Sequence, residues 1–187
     1  MSYPRAIGLL AMAALIAGCG KESGSTNVIS FRSGSLVNGG ITLRNDEVTL
    51  HVHSAPDAVI NAAGDLSIDH RPATVDADQR ALLQDYYRNV LAAKEHGILT
   101  GKAGAAIAGQ AIQSVVKGIA SGDTGSIDKD IDAKSQKVTQ EALKICQDLA
   151  SVKTAQDSLA VKLAAFKPYA GIIHADNLTD CASDARH

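Results

Sequence analysis

The sequence predicts an α+β protein in which a small antiparallel β-meander is followed by a helical hairpin or bundle with one long C-terminal helix. Residues 47–53 alternate apolar and polar side chains, which is typical of a half-buried strand. Apolar residues recur every seven positions from Ile131 to Phe166, the spacing of a helix that packs lengthwise on another. Between these segments, Asp76 followed by Gln79 three residues later is typical of a helix N-terminus.

The β-meander is expected within residues 35–75. Its predicted strands are 41–44, 47–53, 58–61 and 66–69, and its predicted turns are 39–40, 45–46, 54–57 and 63–65. A sheet this small is marginal alone, so we expect a helix to cover one of its faces.

The helical region is expected to span residues 76–187 and to form one compact unit with the β part. A first helix is predicted from residue 77 to about 95, with Gly97 as its stop. A longer helix is predicted from about 128 to 167, ended by Pro168. Its apolar seam, interrupted by Ser135 and Gln156, is Ile131, Val138, Ala142, Ile145, Leu149, Val152, Leu159, Leu163 and Phe166. The partner of this seam is either another helix of the same chain or a second copy of the chain.

Small residues recur at four-residue spacing between the two predicted helices. They are Gly97, Gly101, Ala105 and Gly109. Such a row resembles a glycine zipper, which lets a second backbone or a membrane approach closely. We expect a tightly packed buried helix here, and a membrane-touching or oligomerising helix is the alternative. Charged and polar side chains interrupt the apolar run before it reaches bilayer length.

The N-terminus predicts an exported, lipid-anchored protein. Residues 1–18 form a short apolar segment after one cation, and Cys19 follows small residues at the position where bacterial lipoproteins are cleaved and acylated. Residues 19–34 are then a lipidated flexible tether. The alternative is an ordinary secretory signal with an incidental cysteine. We expect a periplasmic location, with the anchor in the inner leaflet of the outer membrane.

Two cysteines remain once Cys19 is assigned to lipid. Cys146 and Cys181 form an even pair in an oxidising compartment, so we expect them to be disulfide-bonded. A bond across this loop contributes about 3 to 4 kcal/mol by the loop-entropy estimate. The alternative, a reactive pair, lacks the Cys-x-x-Cys spacing.

The sequence contains no recognisable catalytic motif, so we expect no enzymatic activity and no cofactor. His51 and His53 would lie on one strand face and are weak candidates for a metal site, but two solvated histidines are the favoured interpretation. Acidic and basic residues nearly balance, at 20 and 18, and aromatic content is 3%, which argues against nucleic-acid binding.

Two stretches carry a resemblance to a known family. Residues 64–72, 75–80 and 86–87, together with 145–149 and 157–159, resemble the Gram-negative envelope proteins typified by YggN. The resemblance implies a periplasmic, non-enzymatic protein of unknown role, with no catalytic residues to transfer.

These patterns predict a periplasm-facing lipoprotein that binds a protein partner without catalysis. An immunity or inhibitor protein that neutralises a periplasmic toxin or effector is the sharper form of this hypothesis. A structural or membrane-associated glycine-zipper protein is the second class, with homo-oligomers as a possible form. A metal-binding or hydrolytic protein using His51 and His53 is the third.

Overall fold

The computed structural model describes residues 29–30, 35–121 and 125–185. The predicted signal peptide, the lipidation residue Cys19 and residues 20–28 and 31–34 of the predicted tether lie outside the described residues. Two residues of the expected tether belong to the sheet instead, because Ile29–Ser30 pair with Ser35–Leu36.

The predicted α+β fold is confirmed, and its sheet is a seven-stranded antiparallel meander in sequence order. The strands are β1 Ile29–Ser30, β2 Ser35–Leu36, β3 Ile41–Arg44, β4 Glu47–Val52, β5 Ala55–Asn61, β6 Leu66–Ile68 and β7 Arg71–Pro72. Asn45 and Asp46 both have positive φ, at 50° and 60°, which suits a two-residue turn of the mirror-image type between β3 and β4. The short strands β1, β2 and β7 were missed because two residues are too few to show a period.

One face of the sheet forms one side of the hydrophobic core. The buried side chains of β3, β4, β5 and β6 are Ile41, Leu43, Val48, Leu50, Ala58, Ile60 and Leu66, each at most 4% exposed. They alternate with exposed or half-buried neighbours, as the period-2 pattern of residues 47–53 predicts.

Three helices and a 3₁₀ helix follow the sheet. They are α1 Ala77–Ser121, α2 Gly125–Lys162, the 3₁₀ helix Ala164–Tyr169 and α3 Ala175–Asp184. The predicted cap of α1 is confirmed: the Gln79 backbone N–H donates to Asp76 Oδ1 at 2.8 Å, and Gln79 Oε1 accepts from the Asp76 N–H at 3.0 Å. The same Gln79 side chain donates to the carbonyl of Lys162 at the end of α2, at 2.8 Å.

The predicted boundaries of the two long helices were wrong in two places. Gly97 does not end the first helix, because α1 continues without a break to Ser121. A glycine costs an internal helix position only about 1 kcal/mol, and packing along α2 offsets that cost. The C-terminal helix ends at Lys162 and not at Lys167, so Pro168 lies inside the 3₁₀ helix and does not stop α2.

The first half of α1, the C-terminal half of α2 and the 3₁₀ helix contribute the other side of the core. The buried residues Leu83, Tyr86, Val90, Phe166 and Tyr169 join the sheet residues in a single cluster. Phe166 packs edge-on against Tyr86, with ring centroids 5.9 Å apart, and lies 5.8 Å from Tyr169. Helix α2 packs along α1, so the predicted seam finds its partner within the same chain.

The β5–β6 turn is fixed against the first turns of α1. Gly64 has a φ of +76°, and a Cβ at that position would lie 2.6 Å from the carbonyl oxygen of Arg80. Arg80 forms an ion pair with Asp65, and its hydrogen bond is the main cause that lowers the pKa of that carboxyl group. Gln84 donates to the carbonyl of Ala63 at 3.0 Å.

The C-terminal segment is held by one buried amide and one disulfide. Gln156 is fully buried; its Nε2 donates to the carbonyls of Ala170 and Ile173, and its Oε1 accepts from the Ile173 N–H. The predicted bond between Cys146 and Cys181 is present and joins the middle of α2 to α3. Gln156, one of the two polar residues that interrupt the heptad seam, therefore holds residues 170–173 against the C-terminal part of α2.

Candidate binding face on the outer side of the sheet

The outer side of the sheet carries a continuous row of small side chains, one from each neighbouring strand. The register pairs each member with the next in the order Ser35, Thr42, Thr49, Val59 and Ser67. Four of these five residues bear a hydroxyl group, and all five are half-buried. Because neighbouring strands are about 4.8 Å apart, the hydroxyl groups of Ser35, Thr42 and Thr49 form a polar line across three strands, and Val59 separates this line from Ser67.

Four of the five residues of this row, all but Ser67, line an open concavity of about 1340 Å³. Its lining includes Thr42, Thr49, His51, Asp57 and His70. The core lies on the opposite side of these strands, so the backbone under the concavity is held by the packing of the inner face. The surface is thus polar, accessible and rigidly supported.

His51 is held in one orientation within this surface. Its Nδ1 lies 2.8 Å from Asp57 Oδ1, and its Nε2 lies 3.0 Å from Thr42 Oγ1. The imidazole is 39% exposed and the carboxylate 59% exposed, so the pair remains open to solvent. Sequence reasoning missed this arrangement, although the two-residue turn at Asn45–Asp46 fixes the register that places Thr42 beside the end of β4.

The structure does not place the two metal-candidate histidines as a pair on one strand. Strand β4 ends at Val52, after a register shift between Leu50 and Val52, so His53 lies exposed in the turn. Both ring nitrogens of His51 already have hydrogen-bond partners. Within the described residues, no group of three or more His, Cys, Asp or Glu side chains could hold a metal ion.

Tyr169 ties the rim of the concavity to the helical layer. Its hydroxyl group donates to the carbonyl oxygen of Pro56, next to Asp57. Burial, and secondarily the negative charge of Asp57, raises the pKa of Tyr169, so its hydroxyl stays protonated as a donor. This bond connects the start of β5 with the 3₁₀ helix.

The small-residue row of α1 does not form one packed face. Gly97 is buried, whereas Gly101, Ala105 and Gly109 are exposed. Four residues advance a helix by about 40° beyond a full turn, so the row rotates away from its starting face. A Cβ at Gly101 or Gly109 would meet no atom of the described part of the chain within 4 Å. The expectation of a tightly packed, buried helix in this stretch was therefore wrong.

The half-buried positions of the same stretch follow spacings of three and four. They are Thr100, Ala103, Gly104, Ile107 and Ala111. Near this stripe, Lys134 of α2 donates to the side chain of Gln110 on α1. Closer to the core, His96 Nδ1 lies 2.7 Å from Asp148 Oδ2 and joins the two helices. Among the described residues, no helix is both long and apolar enough to cross a membrane.

Comparison with known proteins gives one family similarity. The model of a family described as proteins of unknown function (DUF2884) matches residues 36–126, just under half of the 187-residue chain. The chain has no significant match among curated proteins or solved structures. The matched region includes strands β3 to β7 and α1 but neither β1 nor either cysteine of the disulfide. Over most of its sheet and its first long helix, the chain is thus similar to a family whose function is unknown.

Proposed function

We propose that this protein is a periplasm-facing lipoprotein that binds a protein partner, without catalysis, through the outer face of its sheet. The observation that carries the proposal is the row of hydroxyl-bearing residues across an open, accessible concavity. The opposite face of the same strands is closed by the core. A polar surface with fixed backbone loses little conformational freedom on binding, which favours recognition.

The size of the face suits a compact contact. The four spacings between strands β2 and β6 span about 19 Å at 4.8 Å each, and these strands of two to seven residues are about 7 to 23 Å long. The projected area is therefore roughly 300 Å², below the approximately 800 Å² that each partner buries in a standard interface. We expect a partner that also contacts the rim of the concavity or one that binds transiently.

The proposed lipid anchor explains how a binding face smaller than a standard interface could still retain its partner. Acylation of Cys19 would hold the sheet at the membrane surface, where the partner's effective concentration is high. The resemblance of residues 64–72 and 145–149 to the envelope proteins typified by YggN supports this location. A toxin or effector delivered into the periplasm is the partner class that we propose first, since neutralising it requires binding alone.

The anchor is tested by metabolic labelling with an alkyne fatty acid. We expect label on the wild-type chain and none on the Cys19→Ser variant. An unlabelled wild-type chain that retains residues 1–18 would contradict the proposed export and periplasmic location.

The binding face is tested by crosslinking pull-down from intact envelopes with a matched pair of charge variants. Thr49→Arg places a long cation in the middle of the face. Val161→Arg places the same cation on α2 at a side chain that is 84% exposed. We expect one stoichiometric partner with the wild type and with Val161→Arg, and its loss with Thr49→Arg. Equal recovery with both variants would show that the partner binds elsewhere.

The second candidate function is that of an oligomerising or membrane-associated protein that uses the distal part of α1. The exposure of Gly101, Ala105 and Gly109, and the open space around both glycines, favours this alternative. Gly101→Leu should abolish detergent-resistant oligomers if they form through this surface. Oligomers that survive the substitution would exclude it.

A further inference from the structure

We infer that Thr42 is an activated hydroxyl nucleophile that accepts an acyl group from a carboxylic ester lying on the outer sheet face. Thr42 Oγ1 lies 3.0 Å from His51 Nε2, and His51 Nδ1 lies 2.8 Å from Asp57 Oδ1. A hydroxyl within reach of a base that a third group orients is the arrangement that activates nucleophiles. The inference goes beyond the proposed binding function and does not depend on it.

The hydrogen-bond partners determine the required tautomer of His51. An ionised Asp57 only accepts hydrogen bonds, so the Nδ1 that faces it carries a proton. In the neutral imidazole, Nε2 is then unprotonated and accepts the hydrogen bond from Thr42. The free electron pair that removes a proton therefore points at the hydroxyl group.

The sheet register brings the three groups together from three strands. Thr42 on β3 pairs with Thr49 on β4, and His51 lies two residues further along β4. Asp57 is in β5, on the other side of β4 from Thr42. The imidazole thus lies between the hydroxyl group and the carboxylate.

A small substrate can reach this hydroxyl group. Thr42, His51 and Asp57 all line the open concavity. The register places Ser35 on one side of Thr42 and Thr49 on the other. Their hydroxyl groups are donors that could stabilise the negative charge developing on a carbonyl oxygen, since side-chain donors perform that role in acyl transfer.

The reaction balances without a metal or a redox partner. Thr42 Oγ1 attacks the carbonyl carbon of the ester, and its proton moves to His51 Nε2. The bond between the carbonyl carbon and the alcohol oxygen then breaks, and the departing oxygen takes the proton from Nε2. The products are an ester on Thr42 and a free alcohol, with Asp57 stabilising the transient imidazolium.

The probe is p-nitrophenyl acetate, incubated with the full chain. Acetylation is located by mass spectrometry on tryptic peptide 33–44, which contains Ser35 and Thr42. We expect acetate on Thr42 in the wild type and none on the near-isosteric Thr42→Val variant. His51→Gln should slow this acetylation by about 100-fold or more, the usual contribution of a general base. Asp57→Asn should slow it less, by about 10-fold, because this carboxylate is 59% exposed to water.

Matched controls separate activation from general reactivity. Ser151→Ala removes an exposed hydroxyl group on α2, away from the sheet, and should leave the rate unchanged. Lysine acetylation in every variant provides an internal reference, and unfolding curves show whether each variant is folded. Acetylation confined to lysines, or equal acetylation of Thr42 in folded wild type and His51→Gln, would overturn the inference. Either result would leave the crosslinking test of the binding face unaffected.

Discussion

Replacing Gln156 with leucine should be among the most damaging single changes that preserve side-chain volume. The Gln156 amide makes three hydrogen bonds to the backbone of residues 170–173. Leucine would leave two carbonyl oxygens and one N–H of this segment without these partners. The Ile173 N–H and its carbonyl are bonded to Gln156 in a buried environment, so solvent cannot readily replace the lost bonds.

The magnitude follows from the cost of each orphaned group. A buried donor or acceptor without a partner costs about 1 to 3 kcal/mol. Burying the leucine side chain returns about 1.5 to 3 kcal/mol. We therefore expect Gln156→Leu to lower the free energy of unfolding by about 3 kcal/mol.

Urea unfolding with the disulfide intact measures this change. Gln147→Leu is the matched control, because Gln147 is an exposed residue of the same helix. It should alter the free energy of unfolding by less than about 0.5 kcal/mol. A Gln156→Leu variant as stable as the control would refute the assigned role of the buried amide.

Four further predictions concern the β5–β6 turn, helix α1, the core and the disulfide. Gly64→Ala should lower the free energy of unfolding by about 2 kcal/mol or more, because the position combines positive φ with a close backbone contact. Gly101→Ala should instead raise the free energy of unfolding by up to about 1 kcal/mol, since the added methyl group meets no atom of the residues that the structure describes within 4 Å; equal effects of the two substitutions in urea titrations would contradict both assignments. Tyr86→Phe should leave the free energy of unfolding unchanged or raise it by about 1 kcal/mol, because the buried Tyr86 hydroxyl has no hydrogen-bond partner among the described residues; a large loss would reveal one. Replacing both Cys146 and Cys181 should lower the free energy of unfolding by about 3 kcal/mol. It should also speed amide hydrogen exchange in α3, because no residue of α3 is buried. Unchanged exchange would show that other contacts hold α3.

Local patterns predicted much of the fold because their physical causes are local. The alternation around Val48 and Leu50 needed only a buried face and a period of two. The reciprocal bonds of Asp76 and Gln79 connect residues three apart. The pairing of Cys146 with Cys181 could be predicted because these two cysteines remain once Cys19 is assigned to lipid, and an oxidising compartment favours a disulfide.

The features that sequence reasoning missed depend on contacts between distant segments. Helix α1 continues beyond Gly97 because α2 packs along it. The helix propensities of the residues around Gly97 do not predict this contact. In the sequence, Gln156 only interrupts the apolar heptad seam. In the structure, the chain beyond Lys162 folds back over α2 and supplies the hydrogen-bond partners of this amide. The cluster around His51 requires a strand register, and the turn at Asn45–Asp46 was the signal that could have supplied it.

Site-specific photo-crosslinking in living cells tests the central claim most directly. A photoreactive residue at position 49 reports on the outer sheet face, and the same residue at position 161 reports on the exposed surface of α2. We predict one discrete crosslinked partner from position 49 and none from position 161. A partner captured from position 161 alone, or no capture from position 49 in labelled, correctly exported protein, would contradict the assignment of the sheet face as the binding surface.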